Sequence, residues 1–127
     1  MLRSAKIEYL LVGGYAVAHY GHPRATGDLD LWVALDERNA LALCEAVRAF
    51  GFDVPELKAE LVLQTKRVIR MGVPPVRIEL LTGIDGAEFG ECYSRRETVD
   101  IISLADLKAN KRASGRLQDL DDVEKLP

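Results

Sequence analysis

Asp28 and Asp30 stand one residue apart in the run Asp28-Leu-Asp-Leu-Trp-Val-Ala-Leu35, whose strict alternation has the period of a half-buried strand. In a strand both carboxylates leave the same face, with their Cα atoms ~6.5 to 7 Å apart. Like charges that close repel each other. On a largely buried sheet the pair is costly unless water solvates it or a cation neutralises it, and oxygen-only ligands favour Mg²⁺ or Mn²⁺ over zinc. Glu79, on a later candidate strand, offers a third carboxylate. Three such groups suit two divalent ions in the arrangement used for in-line phosphoryl displacement, one activating an acceptor hydroxyl and one gripping a triphosphate. The plainer alternative is that Asp28 and Asp30 solvate the outer face of an edge strand.

Other residues extend the pattern. Gly13-Gly14 closes the apolar run from Ile7 to Val12 and opens a short helical stretch. Backbone N–H groups at such a turn can approach phosphate oxygens, with the helix dipole adding attraction; by itself Gly-Gly is more often just a tight turn. Near the end of the chain, Lys108, Lys111, Arg112 and Arg116 gather positive charge. The plain alternative for each is a solvated helix face paired to Asp119 and Asp122. Tyr15, Tyr20 and Trp32 are candidates to stack a base. Core or cleft-wall packing is their default, and Trp32, on the Asp28 and Asp30 face, is the best placed of them to line a cleft. His19 and His22 lack the further ligands a metal site needs.

The elements that must position these groups follow from periodicity. Ile7 to Val12 reads as a buried strand, Tyr15 to Tyr20 as a short helix stopped by Gly21 and Pro23, and Asp28 to Leu35 as the carboxylate strand. Leu29, Leu31, Val33 and Leu35 share that strand's other face. Asp36 can cap a helix carrying Ala40, Leu43, Cys44, Val47 and Phe50, with Gly51 as its stop. A short helix is expected around Leu57 to Leu63. Lys66 to Met71 and Val76 to Leu81 flank the turn sequence Gly72-Val-Pro-Pro75, so they should form an antiparallel pair; Ile78 and Leu80 face one way, and Arg77, Glu79 and Leu81 the other. Ala87 to Arg95 reads as helical and Thr98 to Ile102 as a last strand. Ser103 should cap a helix over Leu104 to Ser114. Beyond Gly115 a further helix places Leu117, Leu120 and Val123 on one stripe, with Asp119 and Asp122 on another face.

With 127 residues, 48% of them hydrophobic and 29% charged, the chain is expected to be a single domain, residues 1–127, able to bury a core without disulfides or structural metal. Cys44 and Cys92 form no CxxC pair, which argues against a zinc site, a redox motif or a disulfide framework. The net charge of −3 removes the global positive field that non-specific nucleic-acid binding requires, so contact with phosphates must be local. No apolar stretch reaches the ~20 residues of a bilayer span, and Met1 to Glu8 lacks an apolar core of signal-peptide length. A cytoplasmic protein with no membrane partner is the expectation.

Taken in order, Gly13-Gly14, Arg24-Ala-Thr-Gly-Asp-Leu-Asp30 and Arg77-Ile-Glu-Leu80 resemble the signature of DNA polymerase β-type nucleotidyltransferases. The chain is most similar to the small bacterial branch of AbiEii-like toxins and related minimal nucleotidyltransferases, with a late basic helix running into Asp119-Leu-Asp-Asp122. The resemblance spans roughly residues 7–126. It implies an α/β (α+β) nucleotidyltransferase fold: a mixed β-sheet with helices packed mainly on one face and the metal cleft on the other. It makes Asp28, Asp30 and Glu79 metal ligands and catalytic residues, Glu79 also being the base or activator of the acceptor hydroxyl. It gives Gly13 and Gly14, with Arg24 and Thr26, to phosphate binding, and Lys111, Arg112 and Arg116 to the nucleotide, with Asp119 orienting one of them. Two Mg²⁺ (or Mn²⁺) ions and a nucleoside triphosphate such as ATP are implied, with nucleoside monophosphate passing to an acceptor hydroxyl and pyrophosphate released. A toxin–antitoxin setting is implied as well, with transfer RNA or a partner protein as acceptor. A chain this short is expected to rely on a homodimer, an antitoxin-like partner or a small acceptor. The alternative expectation is a catalytically degenerate nucleotide-binding or antitoxin-like interaction protein, motivated by Glu at position 79 where Asp is commoner.

Overall fold

Alternation of apolar and polar residues, with β-branched and aromatic side chains on the apolar positions, favours extended chain that buries one face. Four such runs form one mixed sheet in the computed structural model, which describes residues 6–21, 28–50, 58, 60, 63–64, 66–73, 76–97 and 100–127. The strands are β1 (Tyr9–Val12), β2 (Asp28–Val33), β3 (Val68–Val73) and β4 (Val76–Leu81). Their spatial order is β1-β2-β4-β3, with β1 antiparallel to β2, β2 parallel to β4, and β3 antiparallel to β4. Beyond β1 the chain at residues 100–102 continues the pairing: the Leu11 N–H donates to the Asp100 carbonyl at 2.8 Å, and the Ile102 N–H to the Leu11 carbonyl at 3.2 Å. This is the described part of the expected strand at Thr98 to Ile102; Thr98 and Val99 lie outside the described residues.

Among the described residues five helices cover the sheet: α1 (Gly13–His19), α2 (Glu37–Phe50), α3 (Phe89–Ser94), α4 (Leu104–Ser114) and α5 (Leu117–Lys125). Helix α2 packs on one face, setting Ala40, Leu43, Cys44 and Val47 against Leu31, Val33, Ile69, Met71 and Leu80. On the other face Leu10, Val12 and Trp32 meet Ala16 and Val17 of α1, Cys92 of α3, Leu107 of α4, and Leu126. Among the described residues the helices thus lie mainly on one face, as the resemblance implied. The expectation that the carboxylates open onto the opposite, barer face is overturned: Trp32, two residues from Asp30, is packed beneath the helix-rich layer, so Asp28 and Asp30 share that layer's side.

The helix ends follow local chemistry. Asp36 accepts the Asn39 N–H at 2.8 Å and so caps α2. Asn39 is itself fully buried; its Oδ1 accepts the Glu8 N–H at 2.7 Å, and its Nδ2 donates to the Glu8 and Ala34 carbonyls, each at 3.1 Å. A buried amide with those partners fastens the start of α2 to both strands beside it. Ser103 accepts the Asp106 N–H at 3.2 Å to start α4, and Gly115 ends that helix at φ +66, in the left-handed conformation that favours glycine. Helix α1 begins at Gly13 rather than at Tyr15, so the Gly-Gly pair is the first turn of the helix instead of a turn before it. The short helix expected around Leu57 to Leu63 falls largely outside the described residues. Among the described residues no helix is long and apolar enough to cross a membrane.

The arrangement of α5 departs most from its apolar pattern. Leu117 is 88% exposed and Leu120 48%, whereas Asp119 and Asp122 are buried. The helix turns its carboxylates inward because a cation awaits them there, as described below. Leu107→Ala, at a fully buried site, should therefore cost about 2–5 kcal/mol of stability in urea unfolding, while Leu117→Ala should change it by less than about 0.5 kcal/mol.

Candidate functional site

Strand register decides which side chains meet on the helix-rich face. Opposite partners there form three rows across the sheet. Asp28, Arg77 and Gly72 make the first, Val12, Asp30, Glu79 and Arg70 the second, and Leu10, Trp32, Leu81 and Val68 the third. The third row is apolar throughout, with Leu10 and Trp32 buried and Val68 exposed. The first two carry the charges. Asp28, Val12, Asp30, Glu79 and Arg70 of these rows, with Val68 and Leu81 of the third, form the floor of a cavity of about 670 Å³, within the roughly 300 to 1,000 Å³ usual for small-molecule sites. Its walls are Gly13 and Gly14 of α1, the 83–85 loop, Asn110, Lys111 and Ser114 of α4, and Arg116, Gln118 and Asp119 around the start of α5.

Asp30 is the group under greatest electrostatic pressure. Its Oδ1 is buried with no hydrogen-bond partner among the described residues. Burial pushes its carboxyl up to about 7, helped by the charge of Glu79, a hydrogen bond with Glu79 and the charge of Asp28, and opposed by Lys111. Gly13 makes room for it: a Cβ at position 13 would collide with Oδ2 of Asp30, and φ there is +68. The glycine therefore answers to the carboxylate as well as to the turn.

The neighbouring acids have found cations. Arg77 grips Asp28 with both ends of its fork, Nε to Oδ1 at 2.8 Å and Nη2 to Oδ2 at 3.2 Å, and that bond holds the Asp28 carboxyl below its usual range. Arg70 donates through Nε to Oε1 of Glu79 at 2.9 Å. Lys66 reaches Asp85 at 3.3 Å. On the helical wall Lys111, only 4% exposed, donates to Oδ1 of Asp119 at 3.1 Å and lies 3.2 Å from Oδ2 of Asp122. Arg116 donates through Nε to Oδ2 of Asp119 at 2.6 Å and through Nη2 to its Oδ1 at 3.3 Å. Burial pushes the Asp119 carboxyl up, but the bonds from Arg116 and Lys111 outweigh it and hold it below the usual range.

Gly13, Gly14, Asp28, Asp30, Glu79, Lys111, Arg116 and Asp119, singled out from the sequence, thus line one cavity. Asp119 does orient a cation, Arg116. Lys111 has the expected acidic partners, but as a buried ion rather than part of a solvated face. Arg112 is exposed and takes no part in the cavity lining. Arg24 and Thr26, like His22, lie outside the described residues. Trp32 does not line the cleft: it is 2% exposed, its ring edge-on to Phe89 at 5.1 Å. Tyr20 is likewise structural, its hydroxyl donating to the Ile102 carbonyl at 2.7 Å. Both cysteines are buried, and burial pushes the Cys92 thiol up to about 11, which removes thiolate chemistry.

No protein-family model matches the chain, and no curated protein matches it. The geometry of the cavity itself is therefore what carries a functional reading.

Sequence reasoning missed Lys66, Arg70, Asp85, Asn110 and Ser114 in the lining, and Arg77 as the partner of Asp28. Arg77 had a signal, since it shares the Glu79 face of its strand. Arg70 had none without the register of β3 on β4. As to a metal, the unpartnered Oδ1 of Asp30, the two carboxylates beside it and the all-oxygen donor set fit a hard divalent cation. As they stand, however, no three His, Cys, Asp or Glu side chains among the described residues are grouped so as to hold a metal ion, and Asp28 and Glu79 are paired to Arg77 and Arg70.

Two consequences are measurable. Asp30 takes up a proton on folding between its unfolded value of about 3.9 and about 7, so its contribution to stability falls as pH rises through that window. Asp30→Asn should match the wild type near pH 4 and become the more stable of the two by pH 8, read from urea midpoints. Lys111→Met would leave Asp119 and Asp122 buried without their shared cation, and should cost about 3–5 kcal/mol in the same assay.

Proposed function

We propose that this protein is a divalent-metal-dependent nucleotidyltransferase of the DNA polymerase β type, moving a nucleoside monophosphate from a nucleoside triphosphate to an acceptor hydroxyl. The observation that supports it is the convergence, in one cavity, of Asp28, Asp30 and Glu79 on the floor with Gly13 and Gly14 on one wall and Lys111 and Arg116 on another. Those groups come from four separate stretches of chain. Their meeting is what the resemblance requires and what a solvated edge strand would not produce.

In this reading Asp28, Asp30 and Glu79 hold Mg²⁺ or Mn²⁺, two ions at full occupancy. Once bound, the metal offsets triphosphate charge and makes an acceptor hydroxyl more acidic. The acceptor oxygen bonds to the α-phosphorus, the bond to pyrophosphate breaks, and Glu79 takes the hydroxyl proton. Arg116, with its side chain 77% exposed at the cavity rim, meets the polyphosphate. Lys111 is too deeply buried for that task and acts through Asp119, which fixes the Arg116 fork. Gly13 and Gly14 let the start of α1 approach the phosphates without a side chain intervening. The acceptor, transfer RNA or a partner protein, and the toxin–antitoxin setting rest on the resemblance alone.

One observation favours a second reading, a nucleotide-binding or interaction protein that has lost catalysis. Asp28 and Glu79 are already charge-paired within the chain, so a metal must compete for both. One experiment separates the two. Incubation with α-labelled nucleoside triphosphates, Mg²⁺ and total RNA or cell lysate should transfer label to RNA or protein, and the transfer should vanish in Asp28→Ala/Asp30→Ala. Label transfer that survives the double substitution would sink the enzyme reading at this site; triphosphate binding by calorimetry without transfer to any acceptor would favour the second.

A further inference from the structure

Among the described residues three well-exposed cations line the cavity: Lys66, Arg70 and Arg116. Each is tied to an acid, but the acids differ. Lys66 holds Asp85 on the 83–85 loop, and Arg116 holds Asp119, which Lys111 also holds. Arg70 alone of the three holds a floor carboxylate, Glu79, one of those assigned to the metal. Its bond engages Nε, and the guanidinium carries five donors in a rigid fork suited to phosphate oxygens. Its side chain is 64% exposed, whereas that of Glu79 is only 16% exposed. The carboxylate is thus fixed in the floor while the arginine reaches it from the rim. An ion pair with one such exposed partner is weak and exchanges readily.

We infer that Arg70 is a polyphosphate-binding residue whose pairing with Glu79 competes with the divalent cation, so that cation and polyphosphate bind with positive coupling. The inference rests on the nucleotidyltransferase reading of this cavity and adds to it a residue and a sign. A cation at Glu79 and a guanidinium at Glu79 repel each other, so either one weakens the other's hold. Polyphosphate oxygens offer the fork an alternative acceptor within the same cavity, which releases Glu79 to the cation. Each ligand thereby removes an obstacle to the other, and the coupling is reciprocal. Arg77 is less able to play this part. It is less exposed, at 38%, and holds Asp28 through two hydrogen bonds rather than one.

The consequence is a pair of opposite effects from one substitution. Calorimetric titration of the full chain with MnCl₂ alone should give about threefold tighter binding in Arg70→Gln than in wild type, because Glu79 is freed of its competitor. Titration with inorganic tripolyphosphate at saturating Mn²⁺ should give about tenfold weaker binding, since a lost charge-assisted contact is worth roughly that factor. Arg70→Lys should fall between, retaining charge without the fork, and serves equally if Arg70→Gln does not fold. Both affinities moving the same way, or neither moving, would overturn the inference while leaving the enzyme reading intact. Wild type that binds Mn²⁺ and tripolyphosphate in neither titration would overturn both.

Discussion

The parallel register of β2 on β4 sets Asp30 beside Glu79, with Asp28 on the same face, and the repulsion among these three carboxylates governs the charges around them. The sheet holds all three on the floor of one cavity, where Asp28 and Glu79 keep part of their exposure and an oxygen of Asp30 is buried. Close together there, they draw a counter-charge, a proton or a ligand. Arg77 answers for Asp28 and Arg70 for Glu79. Asp30 pairs with no arginine among the described residues, and burial with its two acidic neighbours drives its carboxyl toward neutrality at ordinary pH. Even Gly13 belongs to this arrangement, since only a missing side chain leaves space for Oδ2 of Asp30.

A second group of charges solves the same problem with the signs reversed. Lys111 is buried on the inner face of α4, where an unpaired ammonium would be intolerable, and α5 supplies Asp119 and Asp122 to meet it. Arg116 adds a second positive charge at the rim, so two cations answer two anions. The pairing also ties α5 to α4, and through Lys111 the network reaches the electrostatics of Asp30 across the cavity. Floor and wall are in this sense one system. A change in the charge of either alters the field at the other, and the exposed arginines at 70 and 116 are the points where an incoming anion would enter it.

The fold was largely readable because its strands and helices are locally consistent. Alternation at Asp28 to Leu35 assigned both faces of β2 correctly, and the same held for β4. Asp36, Ser103 and Gly115 fixed helix ends through their own hydrogen-bonding and backbone preferences. One expectation failed and two placements that the sequence left open were decided, all for a common reason. Trp32 shares a strand face with Asp30, but one face of a strand can pass from cleft to core within two residues, and Phe89 closes over the tryptophan. The cleft was placed on the barer side of the sheet, although periodicity says which residues share a face and never which helices will cover it. On α5 the leucine stripe faces out, because a lysine on a neighbouring helix repaid the burial of two aspartates.

Residue types and spacing by themselves determined that Asp28 and Asp30 share a face, that Glu79 lies on the corresponding face of another strand, that Gly-Gly opens a helix, and that positive charge gathers late in the chain. These are consequences of strand and helix period and of backbone preference, which act over a few residues. Only the tertiary structure decided that Asp30 sits against Glu79, that Arg70 and Arg77 claim two of the three floor carboxylates, that Lys111 is buried, and that Arg112 stays out of the cavity. Those outcomes depend on strand order, register and helix rotation. Each is set by the packing of elements distant in sequence, where the exchange of solvent for a counter-charge determines which side chains turn inward.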